Sequence, residues 1–148
     1  MHAKIRWMTP ALVVMMTVPS LATVYPSFRP ETKSAGDVRF LTGGVGSEER
    51  EGLKALTGEE YNLKLEFAAT DGAFISDVRV IIRDDSGTVV LDAVTNGPWF
   101  FAKLDPGRYE VEAQALGLSR RRSVNVTARE QARVAFTEWP PDRSASIR

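Results

Sequence analysis

The sequence predicts an all-β protein, a seven-strand Greek-key-type sandwich preceded by one short helix. Three observations carry this. From Tyr61 onward, apolar and polar residues alternate with a period of two, as in strands that bury one face. Turn-forming residues punctuate that stretch at Asp71-Gly72, Asp84-Asp85-Ser86-Gly87, Asn96-Gly97-Pro98, Asp105-Pro106-Gly107 and Gly117, a spacing of about ten residues that belongs to sandwiches and barrels. No strand is followed by an amphipathic run of helix length, which excludes repeated βα units.

The elements follow in order. Tyr61, Leu63, Leu65 and Phe67 alternate with Asn62, Lys64 and Glu66. Val78, Val80 and Ile82 alternate with Arg79 and Arg83, and the Asp84–Gly87 cluster is a hairpin loop returning through residues 88–91. Residues 99–104 form the next strand. Tyr109, Val111, Ala113 and Ala115 then alternate with Glu110, Glu112 and Gln114. Val124 and Val126 mark a further strand, and Ala132, Val134 and Phe136 the last, which Pro140-Pro141 ends.

Upstream the pattern differs. Residues 1–22 carry a basic start with Lys4 and Arg6, an apolar run over residues 7–18, and Ser20-Leu21-Ala22, the layout of a signal peptide cleaved after Ala22. The run is shorter than the about 20 residues a spanning helix needs. Residues 23–42 read as a linker, with a short strand over residues 37–41. Residues 43–60 hold a glycine turn and a helix over 48–56, with Ser47 as its cap, Leu53 and Leu56 on one face, and Gly58 as a left-handed stop. The sandwich then occupies residues 61–139, and residues 140–148 form a flexible tail.

Composition narrows the function. The 148 residues suffice for one domain. Basic and acidic residues number 19 each, and loss of Lys4 and Arg6 with the signal leaves two fewer basic than acidic. No net field then favours nucleic acid. There is no cysteine, and the one histidine, His2, lies within the signal. The mature chain therefore lacks the groups for Ser-His-Asp or Cys-His mechanisms and for most transition-metal sites. No cofactor and no catalytic residue is expected.

Residues 97–111, Gly-Pro-Trp-Phe-Phe-Ala-Lys-Leu-Asp-Pro-Gly-Arg-Tyr-Glu-Val, resemble the signature of carboxypeptidase regulatory-like, or transthyretin-like, domains. There an aromatic strand leads into a Leu-x-Pro-Gly-x-Tyr-x-Val turn and strand. The resemblance covers roughly residues 61–136 and extends to small exported proteobacterial proteins that carry this domain. It implies a folding signature in Trp99, Phe101, Leu104, Pro106, Gly107, Tyr109 and Val111, with no active site. By the family's phase Trp99, Phe101 and Leu104 point inward, while Phe100 and Ala102 point outward. Gly107 is expected at positive φ, and the Tyr109 hydroxyl is expected to bond backbone near the turn. The helix would then cover Phe100 and Ile81 through Leu53 and Leu56.

The functional expectation is a non-catalytic periplasmic or secreted interaction or accessory module. Its partner would be another envelope protein, met at an edge strand or through Phe100 and the basic run Arg120, Arg121 and Arg122. The alternative is a carbohydrate-binding module using exposed aromatics. Three consecutive strand residues cannot share a face, which weakens the basic run as a patch. No stable membrane insertion is expected after cleavage.

Overall fold

The computed structural model describes residues 30–141; the expected signal segment with its expected cleavage point, and residues 142–148, lie outside them. The protein is an all-β sandwich. Its strands are β1 (Lys33–Ala35), β2 (Val38–Gly43), β3 (Leu63–Ala69), β4 (Arg79–Asp84), β5 (Val89–Val94), β6 (Trp99–Lys103), β7 (Gly107–Ala115), β8 (Leu118–Val126) and β9 (Ala132–Trp139), with helix α1 (Ser47–Lys54) after β2. One sheet has the order β1-β2-β6-β3-β9 and the other β5-β4-β7-β8. Pairing is antiparallel except between β3 and β9.

The described residues thus hold nine strands, two more than the spacing predicts. Of the extra pair, β1 lies where a linker is expected, and β2 falls on the short strand expected over residues 37–41. β1 and β2 form a hairpin, and β2 pairs with β6 from Arg39↔Lys103 to Gly43↔Trp99. Phe40 enters the space between the sheets, while Leu41 packs under the helix. A strand buried on both faces shows no clean alternation, so the pattern marks β2 only as a short strand and does not show its place beside β6.

Between the sheets lies one core. Leu63, Leu65 and Phe67 of β3, Val80 and Ile82 of β4, Val111 and Ala113 of β7, Phe136 and Trp139 pack there with Phe40, Phe100 and Ala102. Phe40 stacks on Phe100 at 5.5 Å between centroids, and Phe67 on Phe136 at 5.6 Å. The expected phase of β6 is therefore inverted. Phe100 is 0% exposed inside the sandwich. Trp99 and Phe101 point outward, where α1 lays Leu53 over them beside Leu41 and Tyr61. The helix does cover an apolar outer face, but that of Trp99 and Phe101. Ile81 lies on β4 of the other sheet, away from it, in register between Asp92 and Glu112.

The Leu104–Tyr109 turn behaves largely as anticipated. Leu104 and Tyr109 are buried in the core, and the Tyr109 hydroxyl donates to the Asp105 carbonyl at 2.7 Å. Burial pushes the Tyr109 phenol pKa up, with Asp105 and Asp84 adding to it. Gly107 differs: its φ is not positive, because it is the first residue of β7, paired with Val126 beside the Tyr109 ring. Gly58 is not left-handed either. A side chain there would strike the Arg129 carbonyl, so close chain approach, not helix termination, requires the glycine. At the front of α1, Gly46 occupies the cap position. The Glu49 carboxylate accepts the Val45 and Gly46 amides, and Ser47 is the first helical residue.

Candidate functional site

Two surfaces carry more chemistry than a simple sandwich requires. The first is the outer face of the four-stranded sheet. Adjacent strands there align Ile81 with Asp92 and Glu112, Arg79 with Val94 and Gln114, and Glu112 with Arg121. Arg79 forks onto Asp92 at 2.9 and 2.7 Å. Glu112 is only 5% exposed. It accepts from Arg83 at 2.8 Å, and from Gln114 and Ser119 at 2.9 Å each, with Arg121 at 3.4 Å. These bonds, the Gln114 amide's first, then those of Arg83 and Ser119, hold the Glu112 carboxyl down to about 2. Such bonding stabilises the charged form. The same fork from Arg79 lowers the Asp92 pKa.

The Glu112 network has a measurable consequence. A depressed native pKa adds stability that is fully present above the unfolded value near 4.3 and disappears as pH falls through about 2. Glu112→Gln is expected to lose on the order of 2 to 3 kcal/mol at pH 7, and the deficit should shrink as both proteins approach pH 2. Urea midpoints at pH 7 and pH 2.5 check this; an equal deficit at both would show that Glu112 is not the titrating group.

Arg120, Arg121 and Arg122 divide between two faces. Arg121 points to the outer network, 3.7 Å from Glu110. Arg120 and Arg122 turn to Glu138 on β9 and also donate to the Ser119 and Arg121 carbonyls. The run seals the corner between β8 and β9 and presents no joint basic patch. Phe100, the other residue expected to meet a partner, is buried in the core. Asp84 acts as a turn residue: it accepts the Ser86 hydroxyl and the Ser86 and Thr88 amides, which lower its pKa, the hydroxyl most.

The second surface is one end of the sandwich. The α1 approach, the β3–β4 loop, the β7–β8 hairpin and the end of β9 converge there. Phe74 (61% exposed), Leu116 (55% exposed) and Val45 stand out into solvent. Phe74, Ile75, Leu116 and Pro140 line one open groove, whose rim continues to Asp77. The β7–β8 turn consists of Leu116 and Gly117, with φ of 51° and 73°. Two positive φ values define the hairpin turn for which Asn-Gly is the favoured pair. Leucine in that conformation is strained by about 1 to 2 kcal/mol. The fold does not ask for it: the side chain is exposed and adds nothing to either core.

No expected site residue lies at this end. The available signal was Leu116-Gly117 at a hairpin tip, an apolar residue where the turn wants Asn or Asp. Among the described residues Phe74 is the one exposed aromatic, so they offer no pair of rings for stacking on a sugar. Among the described residues no group of three or more His, Asp and Glu is placed to hold a metal ion. No helix among them is long and apolar enough to cross a membrane.

The fold and its two surfaces define the class: a β-sandwich with a helix over one face and an apolar loop end. No model of a known protein family matches the chain, and no curated protein sequence matches it.

Proposed function

We propose that this chain is an exported, non-catalytic interaction module of transthyretin-like type, which docks an apolar segment of another envelope polypeptide on the Phe74–Leu116 end. The observation that carries the reading is Leu116, a leucine strained at φ 51° and left in solvent beside exposed Phe74. Strain held without benefit to packing points to a function of the side chain. An apolar cluster on a protein surface is likewise a mark of a binding site. Support for export comes from the layout of residues 1–22. Support for the family comes from the Leu104–Val111 turn and its tyrosine bond.

The test separates fold from function. Leu116→Asn replaces a strained residue by one the turn favours, and is expected to stabilise the domain by about 1 kcal/mol. The same change should abolish partner capture. A photo-activated cross-linker at position 74 in the producing cell should yield a discrete protein adduct, which Leu116→Asn removes. Capture unaffected by Leu116→Asn, or adducts with lipid alone, would overturn the reading. A Leu116→Asn variant less stable than the parent would give leucine a structural role instead.

A further inference from the structure

The two edges of the four-stranded sheet are finished differently. At the β8 edge, the carbonyls of Ser119 and Arg121 are occupied by the Arg120 and Arg122 guanidinium groups, which reach on to Glu138 of β9. Charged side chains of this kind block addition of a further strand. At the other edge β5 reads Val-Val-Leu-Asp-Ala-Val, without Lys, Arg or Pro. Its one charge, Asp92, is held by both arms of Arg79. Val94 is 59% exposed.

We propose that this chain self-associates through β5, two copies pairing antiparallel about a two-fold axis at Ala93 to join their four-stranded sheets into one. Which backbone groups are free follows from the register. Thr95 donates to the Val78 carbonyl and accepts the Asp77 amide, so its groups face β4. In an antiparallel ladder this alternates. The groups of Ala93 and Leu91 therefore also face β4, and those of Asp92 and Val94 face outward. A two-fold axis at Ala93 sets Asp92 opposite Val94 of the second copy, and the reverse. All four outward residues then exchange both of their bonds.

Competing registers fare worse. An axis at Asp92 sets two carboxylates face to face. One further back needs Val89 and Val90, where the β1–β2 hairpin lies close: Gly36, Asp37 and Val38 share a groove with them. At the axis the two copies meet as a non-hydrogen-bonded pair, the closer kind, with Cα atoms about 4.5 Å apart. Alanine there leaves room for that approach. Neutralised Asp92 lies beside an apolar valine, so no like charges oppose each other. This contact is separate from the Phe74–Leu116 end and does not depend on its role.

Sedimentation velocity of the purified chain across a wide concentration range tests the proposal. The parent is expected to pass from monomer to dimer as concentration rises. Val94→Pro removes an outward N–H and Val94→Glu sets a carboxylate opposite Asp92 of the second copy, neither touching a bond to β4; both should stay monomeric with a melting transition like the parent's. Because the chain has no cysteine, Ala93→Cys should give a symmetric disulfide-linked dimer under mild oxidation, since that Cα spacing falls within disulfide reach. Ser123→Cys on the β8 strand should not. A parent that is monomeric throughout, a dimer that survives Val94→Glu, or equal cross-linking from position 123 would overturn it.

Discussion

Phe100→Ser is expected to leave little folded protein at room temperature. Phe100 is fully buried between the sheets and stacks on Phe40. Truncating a buried phenylalanine costs about 3 to 5 kcal/mol, and the serine hydroxyl, with no partner in that apolar site, adds about 1 to 3. Total stabilities run from about 5 to 15 kcal/mol, so one change removes a large share. The comparison that gives the result meaning is Leu53→Ser on α1. It uncovers Trp99 and Phe101 on the outer face while leaving the central core in place, and should cost less. Urea unfolding of both variants checks the order. If Leu53→Ser were the worse of the two, the core would lie under the helix and the phase of β6 would be wrong.

Asn62→Ala is expected to cost about 3 to 5 kcal/mol, because it orphans several buried groups at about 1 to 3 each. Asn62 is completely buried just before β3. Its amide nitrogen donates to the Leu104 carbonyl at 2.7 Å and the Thr127 carbonyl at 2.8 Å. Its side-chain oxygen accepts the Leu104 amide at 2.9 Å. One side chain thereby ties the β6–β7 turn to the β8–β9 loop. Its own carbonyl accepts the Ala132 amide where β9 begins beside β3. Asn62→Asp keeps the acceptor but turns a carboxylate oxygen toward two carbonyls, so it should rescue nothing. Thermal melts of both variants, with hydrogen exchange at the Leu104 amide, test this. A loss under about 1 kcal/mol, with the Leu104 amide still protected, would mean the two loops hold their places without Asn62.

Much of the sandwich was legible in the chain. Period-two alternation from Leu63 to Phe136 and the turns between mark seven of the strands, because a strand with one wet face must alternate. The Leu53–Leu56 stripe likewise announced a helix with one apolar side. Alternation could not tell which face of β6 is inward. Trp99-Phe100-Phe101-Ala102 is apolar throughout, since one side meets the opposite sheet and the other meets α1. When both faces are covered the pattern loses its phase.

The same reason left the place of β2 beside β6 unmarked, and it misplaced Lys64. In the strand pattern that lysine reads as wet. The structure buries it with its ammonium 3.9 Å from the Trp99 ring centroid and paired to Glu66 at 2.7 Å. Asn62 likewise reads as an outward polar residue, and only the arrival of two distant loops makes it a buried bolt. The basic run was visible as three arginines, but its partners Glu110, Glu112 and Glu138 come from two other strands. The sequence by itself determined the element types from residue 37 onward, the turn positions and the tyrosine corner, because these rest on neighbours a few residues apart. Tertiary structure alone decided which apolar face is core, which charges are spent within the fold, and that Phe74 and Leu116 meet at one end, because each of those depends on residues far apart in the chain.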